Sequence, residues 1–317
     1  MDPLVPLKAF DRLQQRWGPL AFAMAVVKKY GDDGGTNLAV LIAYRAFFSL
    51  FPLLLMFTTI LGFLLPHHPA LERSVLDSVS GQVPLIGGEL RDRTLSGSGL
   101  GLVVGAVTAV WAGLGITLAA QNAMAQVWAV PMRERPDVLM SRVRGIGLLL
   151  LLGFLNVLST VASGLVSAGL GGLAVTVVGY LVAFILNLAL FGCVFRLFTT
   201  GTVATRDLLP GIGIAAAVWV VLQGVGGYFV GHAVRSAGPT YGTFALVIGL
   251  LAWVHLGAVT VVLAAEVNTV RASRLWPRSL FGAARPEDQR TLRALAKTEE
   301  RHDEQHVDVS FDDDAVR

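Results

Sequence analysis

Two charged residues, Arg45 and Glu266, sit inside long apolar runs of the chain. A charge at the centre of a membrane helix costs roughly 2.5–3.5 kcal/mol on insertion scales, so it normally faces a partner or a water-filled cavity. At a helical rise of about 1.5 Å per residue, Arg45 lies about 10 Å into the first apolar run. Glu266 lies about 6 Å from the end of the last run on the same measure. If both runs meet the same membrane face there, the two charges share one layer and are expected to pair. The competing reading has Arg45 snorkelling to the surface while Glu266 meets water at the helix end. Asn156, Asn187 and His255 fall deeper, near the middle of their runs, with Gln223 further out and Gln121, Asn122 and Gln126 near the Glu266 level. Such groups either bond neighbouring helices or line a polar route. His255 and Glu266 are eleven residues apart, which places them on one helix face about 16 Å apart. Together Arg45, Glu266, His255, Asn156, Asn187 and Gln223 make a candidate pathway.

Chemistry of other kinds is scarce. The chain has no HExxH, no paired CxxC, no phosphate-binding glycine loop and no GxSxG, and its single cysteine, Cys193, lies in an apolar run. His67-His68 has no third ligand at a useful spacing, so an interfacial pair is the better reading. No catalytic residue, metal or cofactor is expected.

The elements that must position these residues follow from composition. The 317 residues are 54% hydrophobic and only 15% charged, with a mean hydropathy of +0.64. A soluble domain carries nearer one quarter charged residues, so the chain reads as an all-α polytopic membrane protein. A bilayer core takes about 20 helical residues. Six stretches meet that length, near Leu38–Leu65, Leu100–Trp128, Gly145–Leu170, Leu173–Phe198, Leu208–Val230 and Phe244–Val270. This divides the chain into an amphipathic segment 1–37, a membrane domain 38–270 with a long loop 66–99, and a tail 271–317. Gly171-Gly172 should close a tight hairpin between the third and fourth spans. No apolar stretch opens the chain, so a cleaved signal peptide is not expected.

Of the 25 basic residues, 20 fall on the side of the termini, 4 on the other, and Arg45 lies within a span. The positive-inside rule therefore predicts cytoplasmic N- and C-termini. It also accounts for the basic surfaces without a nucleic-acid partner. Phe10, Leu13, Trp17 and Leu20 recur at helical spacing among Lys and Arg. That segment is either an anchor on the anionic leaflet or a helix packed on the bundle's inner end. Leu71, Val75, Leu76 and Val79 suggest a short interfacial helix in the long loop. The tail from about Arg285, ending in Asp312-Asp313-Asp314, reads as solvated and largely disordered.

Pro52 removes the hydrogen bond to the Phe48 carbonyl and should kink the first span, with Ser49 placed to satisfy freed backbone. Ser159, Ser163, Ser167 and Gly171 repeat every fourth position, as do Gly101 with Gly105 and Gly227 with Gly231. These stripes favour close helix approach, either within the bundle or in a homo-oligomer.

The string Ala43-Tyr44-Arg45-Ala46-Phe47-Phe48-Ser49-Leu50-Phe51-Pro52-Leu53 resembles the signature of the YihY/BrkB family of bacterial inner-membrane proteins. A second stretch is also similar to that family's pattern: Tyr241-Gly242-Thr243, then Trp253, then Ala265-Glu266-Val267-Asn268. Leu209-Pro210-Gly211 and Gln121-Asn122 with Trp128 fit as well, so the resemblance covers roughly Leu38 to Val270. Arg45 stands where an uncharged residue is expected, and Ala265 replaces a glycine. The resemblance implies six helices and a non-enzymatic role in envelope integrity. It also implies, through the YhjD-like branch, export of an envelope lipid or other amphiphile. A structural scaffold is the alternative. The family's old ribonuclease label ranks last, because the chain lacks a catalytic constellation.

Overall fold

The computed structural model describes residues 5–64, 99–167, 173–199, 203–236, 239–281 and 283–311. Two short helices, α1 (Val5–Arg16) and α2 (Gly18–Asp32), precede the membrane domain. The break between them falls at Trp17-Gly18-Pro19, where proline tolerates only the first turn of a new helix. Six long helices follow: α3 (Gly35–Leu64), α4 (Gly99–Val127), α5 (Val138–Ser167), α6 (Leu173–Phe198), α7 (Thr205–Ser236) and α8 (Pro239–Ala272). Each contains a stretch long and apolar enough to cross a membrane, and no strand occurs among the described residues. A ninth helix, α9 (Pro286–Lys297), lies beyond the spans.

The six long helices close into a ring in chain order. Each packs on the next, from α3 through α8, and α8 returns to α3. Helix α4 also reaches across to α6 and α8. The helices approach closely because the contact positions are small. Ala39, Ala43, Ala119, Ala120, Ala123, Ala215, Ala216, Ala258, Ala264 and Ala265 belong to one buried cluster. Without a hydrophobic drive in lipid, such close approach is what dispersion contacts require. Large apolar residues point outward instead, among them Leu100, Val107 and Trp111 on α4 and Val218 and Val221 on α7.

Three glycines mark close helix contacts. A Cβ on Gly105 would come within 3.2 Å of the Met56 backbone, so the stripe containing Gly105 joins α4 to α3. A Cβ on Gly257 would lie 2.6 Å from the Trp219 ring, which seats α7 on α8. One on Gly211 would fall 2.2 Å from the Ala264 carbonyl oxygen. Pro52 sits inside α3. The Ser49 hydroxyl donates to the Ala46 carbonyl, 2.7 Å away, and not to the Phe48 carbonyl that the proline frees. A serine side chain most readily reaches back three or four residues, and Phe48 lies one residue behind it.

The polar ends gather at one end of the ring. Helix α2 packs along α8, and the segment after α8 folds back over α1 and α2. Residues beyond 270, expected to be a disordered tail, instead form α9 and an ordered strand-free run to Phe311. The expectation rested on polarity alone. The polar residues here are used internally: Arg278, Asp288, Thr291, Thr298 and Glu300 are all buried. Loop 128–137 adds a third wall, since the Met132 and Arg133 amides donate to the carbonyls of Thr298 and Glu300. The loop after α3, with His67-His68 and Leu71–Val79, lies outside the described residues, as do Gly171-Gly172 and the terminal aspartates.

Candidate functional site

At the end of the ring where the termini meet, three charged side chains are buried together. Lys29 comes from the last turn of α2, Asp33 from the turn that ends it, and Glu266 from the last part of α8. Their side chains are 3%, 2% and 0% exposed. The Lys29 ammonium donates to Asp33 and to the Val127 carbonyl at the end of α4, the latter at 2.8 Å. Its Nζ also lies 3.1 Å from Glu266 Oε2. That contact is an ion pair, so Glu266 and Asp33 share one ammonium.

The electrostatics of this cluster are lopsided. One ammonium faces two carboxylates, and all three side chains are buried. Burial raises the pKa of Asp33 above its ordinary 3.8, against the pull of Lys29. Carboxylates that share one small site cannot all ionise cheaply.

A cavity of about 190 Å³ opens beside it. Lys29 and Asp33 form part of its wall, with Trp128, Thr269 and, from α9, Thr291 and Leu295. At about 30 Å³ per water in the liquid, the cavity admits several waters, and it is smaller than the ~300 Å³ at which ligand pockets begin. A smaller space of about 30 Å³ lies against Gln121, Asn122, Arg135 and Ser141.

A second polar network ties the N- and C-terminal segments together outside the ring. Asp288 is its hub. Its Oδ1 accepts from Lys28 Nζ and Arg278 Nε, both at 2.8 Å, and its Oδ2 from the amides of Ser279 at 3.0 Å and Arg285 at 3.1 Å. Arg278 Nη2 lies 2.8 Å from Asp32. Asp11 accepts from the Leu280 amide and from Gln14, each at 3.0 Å, while Gln14 also donates to the Arg278 carbonyl at 2.8 Å. Burial alone would push both aspartates up. The donors around Asp288 and Asp11 outweigh it and hold both below the usual carboxylate range.

The expected Arg45–Glu266 pair does not form. Arg45 is exposed and its guanidinium reaches the Gly115 carbonyl on α4 at 3.4 Å, while Glu266 faces Lys29. Rotation of α3 turns Arg45 toward α4, and α2 supplies Glu266 with its cation. Lys29 enters the sequence reading only as one of the topology charges, and Asp33 does not enter it. The signal was present as Lys28-Lys29-x-x-Asp32-Asp33, two i,i+4 pairs at the doorstep of the first span.

The remaining pathway residues differ in burial. Asn187 is buried on α6, His255 is half-buried on α8 and Gln223 is exposed. None of these three lines either cavity described above. The side chain of Asn156 lies outside the described ones. Nearer the Glu266 level, Gln121 donates to the Ser141 carbonyl at 3.0 Å and so joins α4 to α5, while Gln126 accepts from Arg135 at 3.2 Å and joins α4 to the loop after it.

Comparison with known proteins decides the family. The family model described as virulence factor BrkB matches residues 26–287. The chain belongs to the BrkB family. No curated protein and no solved structure matches. The match begins inside α2, three residues before Lys29, and runs past Arg278. It is therefore longer at both ends than the stretch from Leu38 to Val270 that the motifs suggested. The BrkB motif residues have distinct roles in the fold. Asn268 Oδ1 accepts from the Gly211 amide at 2.7 Å, so the Leu-Pro-Gly and Ala-Glu-Val-Asn segments meet directly under Glu266. With alanine at position 265, that residue is 1% exposed and the contact is still close. Trp253 donates to the Leu222 carbonyl at 3.3 Å and packs on Trp219. Tyr44, Phe47, Phe48 and Phe51 stack along α3, and Tyr44, Phe48 and Phe51 are exposed. Ser49 is buried, whereas Leu50 is only half-buried. The side chains of Tyr241 and Gly242 lie outside the described ones.

Proposed function

We propose that this multi-pass membrane protein of the BrkB family resides in the bacterial inner membrane and moves an envelope lipid or related amphiphile across it. Both termini lie in the cytoplasm on this reading, because the basic residues concentrate on their side. The observation that carries it is the Lys29–Asp33–Glu266 cluster. A fully buried carboxylate that shares one ammonium with a second carboxylate is under-compensated, and a bundle with only a structural role has no need of it. Charged groups at membrane depth are by default functional. The cavity beside the cluster is too small for a lipid, so passage requires α9 and the 128–137 loop to part from the bundle. The cluster then acts as the proton-sensitive fastening of that inner mouth, and no enzymatic step is involved.

The test is a lipidomic comparison of a deletion strain with its parent, followed by reconstitution of the protein with whichever lipid accumulates. Accumulation of one amphiphile that the reconstituted protein then moves supports the reading. An unchanged lipid profile, with no lipid moved in vesicles, overturns it. One observation favours a scaffold instead: the ordered polar cap made from both ends of the chain displays exposed arginines, among them Arg290 and Arg301. A scaffold would give co-purifying partners that depend on the cap and no change in lipids.

A further inference from the structure

Helix α1 is packed inside out for a soluble protein. The residues it turns toward the rest of the chain are polar: Asp11 is 5% exposed and Gln14 is fully buried, both engaged by the backbone at Arg278 and Leu280. Its outward stripe is apolar. Phe10 and Leu13, one turn apart on α1, are 43% and 61% exposed, and Trp17, the residue directly after the helix, is 64% exposed. Phe281, next to the Leu280 that α1 holds, is exposed as well. Arg12 and Arg16 are exposed and lie along one border of that stripe.

We propose that α1 is an interfacial anchor that docks its Phe10–Leu13–Trp17 stripe into the anionic leaflet of the protein's own membrane. The stripe sinks to the headgroup–acyl boundary, and Arg12 and Arg16 stay at phosphate level beside it. An apolar stripe bordered by arginine, with tryptophan at one end, is the chemistry of an in-plane membrane helix. Charge complementarity selects anionic phospholipid, since each basic residue near such a surface contributes about 1 kcal/mol, or about fivefold in the docked-to-undocked ratio. The polar face remains latched to the C-terminal segment, so the position of α1 at the surface is transmitted to the cap over the cavity. This decides between the two sequence-based readings of the segment: the side turned inward is the polar one, so the apolar stripe is not what packs on the bundle.

The test uses the full chain in nanodiscs, with a nitroxide at position 13 (Leu13→Cys in a Cys193→Ala background) and a control label at exposed position 304 (Glu304→Cys in the same background). In discs of phosphatidylcholine containing phosphatidylglycerol, the position 13 label is expected to be open to oxygen and shielded from a water-soluble nickel chelate. The position 304 label should be open to the chelate. Removing phosphatidylglycerol, or substituting Arg12→Gln with Arg16→Gln, should lower the docked-to-undocked ratio about fivefold per arginine lost, on the same surface-charge scale. Equal chelate access at positions 13 and 304 in both lipids would overturn the proposal. So would shielding that ignores phosphatidylglycerol and comes with dipolar broadening between labels, because a second copy would then cover the face.

Discussion

Asp288 and Glu266 are both buried carboxylates at the same end of the molecule, and they are treated oppositely. Asp288 receives four donors, two from cationic side chains and two from backbone amides. Glu266 has only a lysine ammonium 3.1 Å away, which it shares with Asp33. A saturated carboxylate is a fastening: it is stable in one state and has nothing to exchange. An unsaturated one is tolerable only if a second state, protonated or opened, is also used. The comparison therefore separates a structural latch from a working cluster.

The largest effect should come from breaking the latch. Asp288→Ala removes one of the two carboxylates that hold Arg278, which is 1% exposed, and removal of one partner of a buried pair typically costs about 3–5 kcal/mol. The segment after Arg274 should become cleavable by protease while the ring of spans persists, as limited proteolysis with mass mapping would read. Lys29→Met should come next, leaving two carboxylates with no cation. That loss should be partly restored at pH 5 relative to pH 8, because a proton can replace the ammonium. An equal fall in melting temperature at both pH values would remove the distinction between the two regions.

The titration of the wild type should also separate the regions. Asp288 and Asp11 have folded pKa values below the ordinary 3.8, so the stability they add is present above that value and is lost as pH falls beneath it. Asp33 has a raised value, so its contribution runs the other way and declines as pH rises through its folded value. Acid should thus release the C-terminal segment while leaving the cluster closed. The smallest effect is expected at Arg45. Exposed and bound by one long contact, it should tolerate Arg45→Gln within about 0.5 kcal/mol by thermal melting in detergent.

Much of the ring was legible from hydropathy, because span length is dictated by the bilayer and small residues mark helix contacts. The six spans and the motif at Glu266 were found for that reason. Helix rotation was not legible: depth along an axis can be counted from sequence, but the azimuth that carried Arg45 to Gly115 depends on how α3 packs. The cap was missed for a different cause. Polar residues such as Arg278, Asp288 and Glu300 look solvated in sequence, and only their mutual satisfaction across distant segments allows them to be buried. The i,i+4 pairs at Lys28–Asp32 and Lys29–Asp33 were visible, yet positive-inside counting absorbed the lysines before any partner was sought.

The most direct measurement is complementation of a deletion strain by Glu266→Gln, with lipid profile and melting temperature recorded together. Glutamine keeps the shape and leaves Lys29 with Asp33 as a one-to-one pair, so the fold should hold while the lipid phenotype of the deletion returns. A variant that restores the parental lipid profile, or one that cannot fold, would contradict the claim that this carboxylate is functional and not structural.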